Sequence, residues 1–115
     1  MDKVRKLMVD VPNFPKPGII FKDITKVLAD GEALREVIEA FATRYRSKGV
    51  THFAGIESRG FILGSLVAER LGAGFVPVRK PGKLPARTRK ASYSLEYGTD
   101  SLEIHEDAVD SGERV

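Results

Sequence analysis

Leu34, Val37, Ile38, Phe41, Ala42 and Tyr45 recur at i, i+3, i+4, i+7, i+8 and i+11, which is one face of an α-helix. Asp30 stands ahead of this run as a capping residue, and Lys48-Gly49 closes it with a cation near the carbonyl end and a glycine just beyond. The next apolar stretch, VTHFAGI (Val50–Ile56), has the length of a buried strand. Phe61, Ile62, Leu63, Leu66, Val67 and Leu71 predict a second helix over Phe61–Gly72, and GFVPVRK (Gly74–Lys80) predicts a second strand. Strand, helix, strand in this order is a βαβ unit, expected to be right-handed with parallel strands.

The flanks are less periodic. Residues 2–9 suit a short helix, and VPNFPKPGIIFKD carries three prolines and a glycine, so it reads as a loop holding an extended segment, Ile19-Ile20-Phe21. ASYSLEYGTDSLEIHED alternates β-type residues and predicts a hairpin broken at Gly98-Thr99-Asp100, with a turn following at Asp110-Ser111-Gly112. With no repeat, low-complexity tract or linker, 115 residues make one domain.

Composition narrows the class. An apolar content of 42% with 30% charged residues suits a folded α/β protein, and no apolar run approaches the ~18 residues of a membrane span. The N-terminus lacks the apolar core of a signal peptide, and cysteine is absent, which excludes disulfides and thiolate metal sites and suits the cytoplasm. Two histidines argue against an imidazole metal site. The net charge of +3 conceals a division: Arg79, Lys80, Lys83, Arg87, Arg89 and Lys90 crowd one segment without an acid, and the stretch after it is acidic.

The chemistry gathers at GIESRGFILG (Gly55–Gly64). In a βαβ unit, ligands bind beyond the carboxyl ends of the strands, where the first-turn N–H groups of the helix attract anions. Glu57-Ser58-Arg59-Gly60 lies there: Arg59 offers a guanidinium fork, Ser58 a hydroxyl, and Gly60 close access to the backbone. The plainer account is that Ser58 caps the helix while Glu57 and Arg59 pair on the surface, and both accounts stand on the junction alone. VRKPGKLP (Val78–Pro85) leaves the second strand on the same edge, stiffened by Pro81 and Pro85. Glu96 in YSLEYG sits among apolar and aromatic neighbours, where a carboxyl can hold its proton, or else it simply faces outward from a ribbon.

FPKPGIIFKDIT, GIESRGFILG, VPVRKPGKLP and SYSLEYGTDSLEIH occur in the order and approximate spacing of the adenine phosphoribosyltransferases, and the chain resembles that family from about Phe14 to Val115. The resemblance implies the type I phosphoribosyltransferase fold, α/β with a Rossmann-like parallel sheet, and the conversion of adenine and phosphoribosyl pyrophosphate to AMP and pyrophosphate with Mg²⁺. By this resemblance Glu57, Ser58, Arg59 and Gly60 form the pyrophosphate loop, with a non-proline cis peptide expected at Glu57–Ser58 and Arg59 the principal catalytic cation. Arg79, Lys80 and Lys83 face the pyrophosphate; Phe21 packs on adenine while backbone groups around Ile19 and Lys22 read its edge; residues from about Pro85 to Ser94 form a mobile lid; and Glu96, beside Tyr97, is the general acid. A cytoplasmic homodimer is expected, with no nucleic-acid or membrane partner and no metal ligand in the chain itself.

The family's next block, an acidic pair and a Gly/Thr-rich turn that hold the ribose 5-phosphate, has no counterpart here. The chain therefore reads as the N-terminal part of one phosphoribosyltransferase domain, ending before the central phosphoribosyl-binding strand and inactive alone. Residues 1–31 would be a hood-like region with the adenine-side loop, and residues 32–115 a partial α/β core with basic loop and ribbon. Two other readings are a non-catalytic purine-binding regulator of the same fold and a nucleic-acid module resting on Arg79–Lys90. The second lacks the aromatic interleaving and binding motifs of such modules.

Overall fold

The computed structural model describes residues 1–95 and 98–115, and it divides into two compact units, 1–43 and 44–115. In the first, helix α1 (Asp2–Leu7) leads into β1 (Val9–Pro12), which pairs antiparallel with β2 (Ile20–Asp23) in the register Val11 to Phe21. The loop between the strands folds on itself: Asn13 Oδ1 accepts from the Gly18 N–H at 2.9 Å, and the Phe14 N–H donates to the Ile19 carbonyl at 3.1 Å. Strand β1 and the short helix α2 (Thr25–Ala29) go beyond the sequence reading. Runs of four and five residues give no period to detect; Asp23 Oδ1 starts α2 by accepting from Thr25 N and Oγ1 at 2.9 and 2.6 Å.

Helix α3 (Gly31–Tyr45) begins where its cap predicts, with Asp30 Oδ1 accepting from the Ala33 N–H at 2.9 Å. That bond is the main reason the Asp30 carboxyl lies below its ordinary range. Ile38 and Ala42 are buried as their spacing requires, but Phe41 is 43% exposed, and Ala33, outside the predicted face, is wholly buried beside Val4 and Val27. The helix ends at Tyr45, and residues 46–49 form the turn in which Gly49 takes a φ of 66°.

In the second unit, β3 (His52–Ile56), α4 (Glu57–Leu71) and β4 (Gly74–Val78) form the expected βαβ unit, with β3 and β4 parallel in the register Ala54 to Val76. Helix α4 starts four residues earlier than its apolar period suggests, so Glu57–Gly60 is its first turn and not a loop before it. Ile56 is still extended at φ −92°, and Glu57 takes a φ of 46°, a left-handed conformation that turns strand into helix in one residue. The backbone strain of the junction resides there; Phe14–Pro15 is the cis peptide among the described residues, and Glu57–Ser58, expected cis, is trans. At the far end Gly72 reverses the chain at φ 67°, and the Ala73 N–H reaches the Ala68 carbonyl at 2.9 Å.

After the basic loop, β5 (Thr88–Leu95) and β6 (Gly98–His105) form an antiparallel ribbon. Gly98 pairs with Leu95 and Asp100 with Tyr93, so the residues expected to break the hairpin are strand, and the segment expected as a lid is strand from Thr88 onward. The ribbon joins the end of β4 through reciprocal backbone bonds between Arg79 and Glu103, at 2.9 and 2.7 Å. The turn near Asp110 occurs as expected, and Arg114 then lies beside β3, its carbonyl accepting from Thr51 N and His52 N at 2.8 and 3.2 Å. Among the described residues no helix is long and apolar enough to cross a membrane.

The sharp turn at Glu57 brings strand and helix backbones together. A Cβ on Gly60 would lie 2.9 Å from the Gly55 carbonyl carbon, and one on Gly55 would lie 2.3 Å from the Gly60 oxygen. Gly60→Ala should therefore destabilise the protein by about 1–3 kcal/mol in urea denaturation. Gly31→Ala, with nothing within 4 Å of the added methyl, should be neutral or stabilising.

Candidate functional site

The first turn of α4 does not take the arrangement of a capping serine with a Glu57–Arg59 pair. No side chain caps this helix. Ser58 lies inside the turn and is exposed, so it does not cap the helix, and Glu57 does not pair with Arg59. Its carboxylate crosses instead to the basic loop: Oε2 accepts from Arg79 Nε at 3.0 Å and Oε1 from the Lys80 backbone N–H at 3.2 Å. The Arg79 bond is the chief cause that keeps the Glu57 carboxyl below its usual range, and the Lys83 charge adds to it. The Arg79 guanidinium also lies over the Phe61 ring, 5.2 Å from its centroid.

The loop is thereby held at the positive end of the helix. Arg59 is exposed at that end, and among the described residues it forms no ion pair. Lys83 is likewise exposed, with no carboxylate among the described residues bonded to its ammonium. Lys80 differs: its Nζ is hydrogen-bonded to Asp100 and lies 3.5 Å from the Tyr93 hydroxyl. The pairing with Asp100 raises the Lys80 pKa and lowers that of Asp100. Of the sequence candidates, the structure thus gathers Glu57, Ser58, Arg59, Gly60, Arg79, Lys80 and Lys83 around one helix terminus. Gly60 serves the contact with Gly55.

Sequence reasoning missed the partners that shape this site. Asp100 and Glu103 read only as members of an acidic stretch. The β5–β6 register, which places Lys90 opposite Glu103 and Tyr93 opposite Asp100, is what gives them their roles. Phe61 read as core, and it is also the surface under Arg79.

No protein-family model matches the chain. It is 54% identical over 115 residues to the adenine phosphoribosyltransferase of Geotalea uraniireducens, covering all of this chain and 67% of that protein. The crystal structure of the Thermoanaerobacter pseudethanolicus adenine phosphoribosyltransferase superposes with a TM-score of 0.96 at 53% identity, over 99% of this chain and 66% of that one. This chain belongs to the adenine phosphoribosyltransferase family. It spans about two thirds of the length of these relatives. The Saccharomyces cerevisiae adenine phosphoribosyltransferase, crystallised with an imino-altritol bisphosphate and adenine, is 37% identical with a TM-score of 0.90, over 97% of this chain and 66% of that one.

The residues expected to meet adenine, Ile19, Phe21 and Lys22, lie in the first unit. Phe21 is half-buried in β2 with its ring 5.3 Å from that of Phe14, edge to face. Ile19 is exposed, and both its backbone groups are engaged, the N–H with the Lys16 carbonyl at 3.3 Å and the carbonyl with Phe14 N. Lys22 Nζ bonds Asp10 Oδ1 at 2.6 Å on the neighbouring strand. Glu96 and Tyr97, the expected general acid and its neighbour, lie outside the described residues. Among the described residues no three His, Asp or Glu side chains converge to hold a metal ion.

Arg79 is the first cause of the depressed Glu57 pKa, so Arg79→Ala should move the Glu57 titration upward, read by NMR of the side-chain carboxyl carbon. The sign for stability follows. A carboxylate depressed in the folded state contributes above its ordinary value of about 4.3, and this contribution is lost as pH falls through the depressed value. Acid should release the loop from the helix below the ordinary Glu range in the parent, and closer to that range in Arg79→Ala.

Proposed function

We propose that this chain supplies the adenine and pyrophosphate sides of an adenine phosphoribosyltransferase, which joins adenine to the ribose of phosphoribosyl pyrophosphate and releases pyrophosphate. The observation that carries the reading is the uncapped first turn of α4 with Arg59 exposed beside it and a basic loop tied to the same end by Glu57. As the bond from ribose to pyrophosphate breaks, negative charge builds on the leaving oxygens. Fixed N–H groups and the Arg59 guanidinium lower the barrier by stabilising it. Lys83 supplies a second cation, and Arg79 and Lys80 become donors when the phosphates displace their carboxylate partners.

On the adenine side, Phe21 would be the stacking surface, with the backbone near Ile19 and Lys22 at the base's polar edge; that the yeast relative was crystallised with adenine supports a site for the base in the family. Mg²⁺ would enter with the phosphates of the substrate, where it neutralises charge. Residues 1–115 contain no ribose-phosphate block, so the reading leaves that end of the substrate to residues outside them. Glu96 as general acid, a homodimer and a cytoplasmic site of action complete the proposal. A regulatory purine-binding role has no observation in its favour.

The test joins this chain to the last third of the Geotalea uraniireducens relative and assays AMP formation. Adenine should be used and guanine should not; comparable turnover of guanine would reject the base assignment. Arg59→Ala should reduce kcat/KM by about 10²–10³, the range for one lost contact to transition-state charge. Activity within about twofold of the parent would return Arg59 to an ordinary surface role.

A further inference from the structure

The basic loop between β4 and β5 is fastened along its length by the second half of β6 and the residue that follows it, and Glu103 makes most of the ties. Its backbone exchanges two hydrogen bonds with Arg79, where the loop begins. Its Oε1 accepts from the Gly82 N–H at 2.8 Å, in the middle of the loop, and its Oε2 accepts from Thr88 Oγ1 at 2.5 Å, where the loop ends. His105, two residues along the same face of β6, donates from Nε2 to the Pro85 carbonyl at 2.8 Å, and the Glu106 N–H donates to the Arg87 carbonyl at 3.1 Å.

A carboxylate inside an anion-binding loop is at first sight adverse, because it repels the phosphate. Its partners resolve this. Both oxygens are taken by a backbone N–H and a hydroxyl, and neither is bonded to a lysine or arginine of the loop. Glu103 therefore spends its hydrogen bonds on shape and leaves Lys83 available. We propose that Glu103 is a positioning residue, which locks residues 79–88 in the form that presents Lys83 beside the first turn of α4 and thereby sets pyrophosphate affinity. This rests on the functional reading above for the identity of the anion, and on hydrogen-bond geometry alone for the clamp.

The experiment compares Glu103→Ala and Glu103→Gln with the parent chain by limited trypsin digestion and by calorimetric titration with inorganic pyrophosphate. In Glu103→Ala, cleavage after Lys83 and Arg87 should accelerate about tenfold while cleavage elsewhere stays at the parent rate, because only the loop gains open states. Pyrophosphate should bind about tenfold more weakly, the order expected when one hydrogen-bonded anchor is lost. Glutamine keeps an acceptor for Gly82 and a donor for Thr88, so Glu103→Gln should stay within about twofold on both measures. Thr88→Val, which removes one hydroxyl, should give the same pattern at roughly threefold and decides the matter should the alanine variant not fold. Unchanged cleavage in the loop, or acceleration at every site alike, would overturn the clamp. A parent that fails to bind pyrophosphate would overturn the functional reading instead, and the digestion would still decide the clamp.

Discussion

The backbone contact between Gly55 and Gly60 is the constraint on which the junction of β3 and α4 depends. Strand β3 and helix α4 meet so closely there that neither position has room for a methyl group. The contact permits a turn of one residue, and that residue, Glu57, is driven into left-handed backbone. A longer connection would relax Glu57 but would carry the first-turn N–H groups away from the strand ends. Phe75 continues the same packing, its ring within 2.8 Å of where a Cβ on Gly64 would lie and 6.1 Å from the Phe61 ring. Strain at the junction is thus sustained by packing on either side of it.

The carboxylates around the site divide the work. Glu57 binds the loop to the helix, Asp100 takes the Lys80 ammonium, and Glu103 shapes the loop. None of these residues is fully buried, so screening by water keeps each contribution to stability modest. Their effect is geometric. They hold the loop that carries Lys83 against the helix end that carries Arg59, and none of the three is hydrogen-bonded to either cation. Under the proposed function an arriving anion would compete with Glu57 for Arg79 and with Asp100 for Lys80, so binding would be an exchange of partners and not the filling of a bare cationic pocket. Electrostatic repulsion between such an anion and the freed carboxylates would oppose that exchange.

The first unit is organised differently. Its core of Val4, Val27 and Ala33 is small, and large apolar side chains remain at its surface, including Phe14, Ile19 and Ile20. The prolines and the Asn13 bond stiffen the β1–β2 connection, leaving an aromatic pair, Phe14 and Phe21, partly open. Exposed aromatic surface on a stiff loop suits a flat apolar ligand such as a purine ring.

Period and punctuation by themselves determined the βαβ unit, the α3 helix with its Asp30 cap, the glycine stop at Gly72 and the turn at Asp110, because each depends on residues adjacent in the chain. The four family blocks likewise picked out Glu57, Arg59, Arg79, Lys80 and Lys83. Tertiary structure alone decided what those charges do. Nothing in the order Glu57-Ser58-Arg59 says that the carboxylate turns away from its neighbour to a residue 22 positions later. Asp100 and Glu103 could not be distinguished from solvated acids until the ribbon register set them against Lys80 and the loop. Helix α4 began early for the same reason: the polar residues of its first turn obscure the apolar period, and only the close approach of Gly55 and Gly60 fixes where the strand ends. Local pattern reports local energy, whereas the site is made of contacts between segments that the chain brings together only by folding.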